Sequence, residues 1–164
     1  MTNSELNTKV LTRNALYVAI YVALCFVFQP ISYGEIQVRI AEALCILPIF
    51  DPYAVYSITI GCFISNLVGG GIILDVIFGT LATFIGLYAI KFIKVDNFFI
   101  KMLPSILSNT IIIPLILRYG YGLNNMPIYI SAFFIAIGEI ISIYIIGYVL
   151  YRALIRYVLS NKLF

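Results

Sequence analysis

Apolar runs separated only by short polar, proline-bearing or glycine-bearing joints dominate this sequence, and they leave almost no material for a water-facing exterior. Hydrophobic residues make up 63% of the 164 and charged residues 10%, against roughly 45–50% and about 25% in an ordinary globular protein. Ten Lys and Arg with seven Asp and Glu cannot coat a soluble domain of this size. Most of the surface must therefore face lipid. At ~20 apolar residues per spanning helix, five or six passes use nearly the whole chain. No soluble catalytic domain fits in the remainder, so the chain is expected not to be an enzyme.

The expected fold is an all-α integral membrane protein: one domain over residues 1–164, forming a compact bundle of six transmembrane helices. The apolar runs place these at about 12–29, 36–50, 53–68, 72–94, 98–118 and 127–160. The second run is short enough to suit a buried or re-entrant segment as well as a span. Residues 1–9 lack the basic start and small-residue cleavage site of a signal peptide, so the first run is expected to be retained. Under a cytoplasmic N-terminus, Lys9, Arg13, Lys91, Lys94, Lys101, Arg152, Arg156 and Lys162 all lie inside, and only Arg39 and Arg118 lie outside. That asymmetry follows the positive-inside rule and gives an N-in/C-in orientation in the cell membrane.

Several chemistries are excluded by what is missing. There is no histidine, and Cys25, Cys45 and Cys62 are scattered with no metal-ligand spacing. Neither a metal site nor a disulfide framework is expected, and no cofactor. No GxxxxGK(S/T) loop is present, so the chain cannot hydrolyse ATP by itself. Gly69, Gly70 and Gly71 lack the following Lys-Ser/Thr and form instead a flexible outer loop with the makings of a lid. The halves show no internal repeat of the inverted-transporter kind.

Polar residues inside apolar runs carry the functional signal, because an ionisable group at membrane depth costs ~2.5–3.5 kcal/mol on insertion scales. Gln37, Arg39 and Glu42 open the second helix at its outer end, and Asn66 closes the third. Asp75 lies a turn into the fourth, Asn109 midway along the fifth, and Glu139 roughly 18 Å below the outer start of the sixth. Together they describe a pocket open to the outside. Each also has a plainer reading. Arg39 and Glu42 share a helical face and can neutralise one another; Asn66 and the glycines can be a turn; Asp75 can cap a helix; Asn109 can bond another helix. Glu139 is the hardest to explain structurally, since its flanks offer only Ser142 as a polar neighbour and its one nearby cation would be Arg39.

Two stripes of small residues add a second signal. Ala15, Ala19 and Ala23 recur every four residues on helix one, and Gly79, Ala82, Thr83 and Gly86 line helix four. Such patterns allow close helix approach in lipid. Packing within the chain is the commoner use, and it is the expectation for helix four.

Ile36-Gln37-Val38-Arg39-Ile40-Ala41-Glu42-Ala43-Leu44 resembles the Q-x-R-x-(S/A)-E-A-L signature of the QueT family of queuosine-precursor transporters. Ser65-Asn66-Leu67, Gly69 to Gly71, Asp75 and Phe78-Gly79-Thr80-Leu81-Ala82-Thr83 are similar to its N-L…G-G…D-x-x-F-G-(S/T)-L-A-T stretch, and Gly138-Glu139 also matches. Ala41 and Thr80 stand where serine is expected. More broadly, the chain resembles the substrate-binding (S) component of an energy-coupling factor (ECF) transporter.

The resemblance implies a subunit that captures a scarce solute outside, here a 7-deazaguanine or queuine, and then docks on a transmembrane coupling protein. Two cytoplasmic ATPase subunits would hydrolyse the ATP, and the chain would topple in the bilayer to deliver its load. On that view Ala15, Ala19 and Ala23 are the docking face. Gln37, Arg39, Glu42, Asn66, Asp75, Asn109 and Glu139 are the substrate-binding set, with no nucleic acid among the partners. Three carboxylates against one arginine favour a neutral or cationic ligand, and 13 Tyr with 12 Phe offer rings to stack on it. The competing readings are an S component for another vitamin-like molecule, a stand-alone cation-coupled carrier using Glu139, and a structural membrane protein.

Overall fold

The computed structural model describes residues 3–32 and 38–161, and every regular element among them is helical. Helix α1 is Asn3–Val27, followed by a single turn at Gln29–Ser32. Then come α2, Ile40–Ile49; α3, Ala54–Val68; α4, Asp75–Phe92; α5, Phe98–Gly120; and α6, Ile128–Ser160. Four of these contain stretches long and apolar enough to cross a membrane: Asn7–Val27, Asp75–Phe92, Phe98–Gly120 and Ile128–Ser160. The chain is a multi-pass membrane protein.

The remaining two helices are short. Fifteen residues in α3 give about 22 Å at 1.5 Å per residue. Ten residues of tight 3₁₀ helix in α2 give about 20 Å at 2.0 Å per residue. Both fall below a hydrocarbon core of ~30 Å. Within the run expected at 36–50, residues 36 and 37 lie outside the described residues, and the helix begins at Ile40, because Arg39 is extended, with φ −87° and ψ 93°. Pro48 lies inside α2, has no N–H to give and crowds the carbonyl four residues back, so an α-helical register is disfavoured there. Residues 41–47 are all buried, which makes α2 an internal rod enclosed by the other helices.

The main core is built around that rod. Cys45, Ile46 and Leu47 meet Tyr21 of α1, Ile58 of α3, Leu87 of α4, Met102 of α5 and Ile143 of α6. A smaller cluster of Ile113, Ile116 and Ile135 joins α5 to α6 towards the other end. Helix α1 approaches α3 closely at Gly61, where a Cβ would stand 2.9 Å from that of Tyr21. Arg13 pairs with Asp51 at 2.7 Å, tying the start of α1 to the α2–α3 corner.

Three wider, π-helical turns interrupt the long helices, at Asp75–Gly79, Ile116–Gly120 and Ile140–Ile146. Single π turns inside α-helices gather at functional sites. Asp75 begins the first of them, and Glu139 immediately precedes the third.

Candidate functional site

Six of the seven site residues expected from sequence are at most 6% exposed: Arg39, Glu42, Asn66, Asp75, Asn109 and Glu139. Gln37 lies outside the described residues. The helices bring most of this set into mutual electrostatic range. The extended Arg39, at the head of α2, interacts with Asp75, Tyr21 and Glu42, and Glu139 on α6 interacts with both Glu42 and Arg39. One arginine thus stands among three carboxylates delivered by three different helices.

The three carboxylates differ in how they are held. Glu42 has both oxygens engaged by the chain: the Tyr21 hydroxyl donates to Oε1 at 2.5 Å and the Cys45 thiol to Oε2 at 2.8 Å. Asp75 Oδ2 accepts from the Tyr121 hydroxyl at 3.0 Å. Glu139 Oε1 accepts from the Asn109 side-chain amide at 3.0 Å, while its Oε2 and the Asn109 Oδ1 are buried without a hydrogen-bond partner. Buried acceptors are normally satisfied, and leaving one without a partner costs ~1–3 kcal/mol, more when it is charged. Glu139 and Asn109 together therefore present two hungry acceptor atoms in the interior.

Asn66 organises the mouth of this cluster. Its side-chain nitrogen reaches the Asp75 carbonyl at 3.5 Å and the Cys62 sulfur at 3.6 Å. Its own carbonyl accepts from the Gly71 amide at 2.9 Å, folding the glycine loop back over the end of α3. Gly70 needs its glycine, with φ +82°. Gly79 needs it for space, since a Cβ would stand 2.9 Å from Asp75 Oδ1 and 3.2 Å from Asn66 Nδ2.

Among the described residues the expected set forms a buried polar cluster beside a small cleft. That cleft, of about 260 Å³, is bounded by Gln29, the three glycines, Asp75 and Tyr121, so among the described residues of the expected set only Asp75 borders it. Tyr121 closes it from above, donating to Asp75 while accepting from the Ile72 amide at 3.2 Å. Burial and the neighbouring carboxylate push its phenol pKa upward, which keeps it a donor.

Sequence reasoning missed Tyr21, Cys45 and Tyr121. Among 13 tyrosines nothing singles out Tyr121 except its place between Gly120 and Gly122. Tyr21 was legible through geometry: two residues beyond Ala19, at 100° per residue, it lies on the opposite side of α1. That relation matters, because Ala15, Ala19 and Ala23 are all exposed.

A multi-pass helical protein that hides a cluster of acids, amides and one arginine between its helices has the makings of a membrane transporter, since such residues in spans mark solute pathways. The QueT transporter family model matches residues 11–156, and the chain belongs to that family. A curated relative, "Queuosine precursor transporter QueT" of Lactococcus lactis subsp. cremoris (strain MG1363), is 38% identical over 73 residues. That match covers 43% of this chain and 43% of the relative, so the chain spans less than half of the relative's length in it. No solved structure matches significantly.

Proposed function

We propose that this chain is the substrate-binding subunit of an ATP-driven ECF importer, oriented N-in/C-in, which captures a queuosine precursor from outside. The observation that carries the reading is the pair of unpartnered acceptors, Glu139 Oε2 and Asn109 Oδ1. A 7-deazaguanine carries adjacent N–H donors on one edge, and a carboxylate accepts two such bonds side by side, the stronger class of hydrogen bond. Glu42, already satisfied by Tyr21 and Cys45, serves to hold α1 and α2 rather than to read the ligand. Asp75, at the cleft, receives an aminomethyl ammonium where the precursor carries one, replacing the Tyr121 hydroxyl. The name of the Lactococcus relative supports the substrate class.

Docking on the coupling protein is assigned to α1. Only 11% of its spanning window is buried, against 44% in α4 and in α5, so this helix contributes least to the interior. Its exposed alanine strip offers a partner helix a flat surface for close approach. ATP is hydrolysed by the two ATPase subunits, and the chain itself needs no cofactor.

The test is ligand binding to the purified chain without any ion gradient, followed by reconstitution in vesicles with and without the coupling and ATPase subunits. Binding without accumulation, and accumulation only when the partners and ATP are added, is the expected result. Glu139→Gln should weaken binding of a 7-deazaguanine by at least ~1.5 kcal/mol, roughly tenfold. An unchanged dissociation constant returns Glu139 to a structural role. Gradient-driven uptake by this chain alone would favour a stand-alone carrier.

A further inference from the structure

At the end of the bundle opposite Asp75, a cleft of about 520 Å³ opens between the α4–α5 corner and the last turns of α6. Arg152 and Arg156 line it, and among the described residues Asp96 is the acid in its walls. Arg13, at the same end of the bundle, is consumed by Asp51 at 2.7 Å. Arg152 and Arg156, in contrast, form no ion pair with any described carboxylate, Asp96 included. Lys94 and Lys101 flank Asp96 in sequence and keep the surroundings positive.

The wall of the cleft is aromatic and fixed. Phe99 stacks on Tyr148 with ring centroids 5.4 Å apart, and Phe98 lies 4.7 Å from Tyr151. The Tyr144 hydroxyl donates to the Phe99 carbonyl at 2.6 Å, pinning the start of α5 to α6. The Arg152 guanidinium sits over the Tyr148 ring at 6.0 Å. The first free amides of α5, those of Phe99 and Ile100, are taken by the Asn97 side chain, so an anion here meets arginine side chains rather than the helix end.

Depth decides what kind of anion reaches it. Helix α6 has 33 residues, about 50 Å, well beyond a ~30 Å hydrocarbon core. Measured from Ile128, Arg152 falls roughly 36 Å along, at the level where lipid headgroups begin. Leu159 and Phe99 at the rim are exposed and apolar, suited to an acyl chain beside a headgroup. We propose that this cleft binds the phosphate of an anionic phospholipid, held by Arg152 and Arg156 against the Phe99–Tyr148 wall. The site is separate from the substrate cluster and does not depend on which solute is carried.

The experiment is native mass spectrometry of the purified full chain with phosphatidylglycerol, phosphatidylcholine, phosphatidylethanolamine or glycerol phosphate. Phosphatidylglycerol adducts should dominate and should fall about fivefold for each of Arg152→Gln and Arg156→Gln, since a basic residue near an acidic membrane surface is worth ~1 kcal/mol. The charge-preserving pair Arg152→Lys and Arg156→Lys should retain most of the adducts. Lys91→Gln, whose ammonium lies over the Tyr88 ring at 4.8 Å, should leave them unchanged. Equal retention of the zwitterionic lipids, or adducts surviving in the double glutamine variant, overturns the proposal. Displacement of lipid by glycerol phosphate would make this a soluble-anion site. A lipid-blind cleft whose substitution abolishes coupled uptake would reassign it to a protein partner.

Discussion

Helices α1 and α4 both carry small residues at helical spacing, yet they use them in opposite ways. On α4, Gly79, Ala82, Thr83 and Gly86 are all buried, and a Cβ on Gly86 would stand 2.5 Å from Ser108 Oγ and 2.6 Å from Ser105 Cα. That stripe lets α5 approach until backbones almost touch. On α1, Ala15, Ala19 and Ala23 are exposed, while the other side of the helix sends Tyr21 and Cys25 into the core. The same pattern thus marks an interface already filled in α4 and a surface left bare in α1. What separates them is the neighbour: α5 lies against the α4 stripe, whereas on α1 the alanines share the outer side with exposed Leu16 and Ile20.

Substitutions on the two stripes sharpen the contrast. Gly86→Val should be severe, because the new atoms meet Ser105 backbone that cannot step aside. Overpacking of this kind costs ~1–3 kcal/mol or more, read as a fall in melting temperature in detergent and loss of ligand binding. Gly79→Ala should be milder and local. Its methyl displaces the Asp75 carboxylate and the Asn66 amide, so ligand affinity should fall further than the melting temperature does. Ala19→Leu should leave both near wild type, within about 0.5 kcal/mol as for exposed positions generally, while abolishing ATP-driven uptake in vesicles containing the partner subunits. Uptake that survives this substitution would mean that the bare stripe faces only lipid, and the comparison would lose its functional half.

Much of the architecture was legible because lipid imposes a simple rule: apolar runs of sufficient length become helices. The all-helical bundle and the identity of its intramembrane polar residues followed from that. The form of α2 did not, since Pro48 and the extended Arg39 turn an apolar run into a short 3₁₀ rod, and run length carries no information on either. The inequality of the carboxylates was partly legible: Glu42 has Arg39 on its own helical face, while Glu139 has only Ser142 as a polar neighbour on its flanks. The partners from distant helices, Tyr21 to one and Asn109 to the other, were not. Internal packing was the expectation for the helix-four stripe, and its residues are buried; the exposure of Ala15, Ala19 and Ala23 is not carried by their spacing, because what a helix face meets is decided by its neighbours.

The Tyr21–Glu42 bond gives α1 an importance beyond its small share of the interior. A helix is about 10–12 Å across with its side chains, so Ala19 outside and Tyr21 inside are separated by little more than that thickness. Lower down, Arg13 pairs with Asp51 and Asn14 accepts from the Ser57 hydroxyl, so polar contacts hold the helix along its inner face. The exposed alanine strip and the carboxylate beside Arg39 are therefore served by the two faces of one helix.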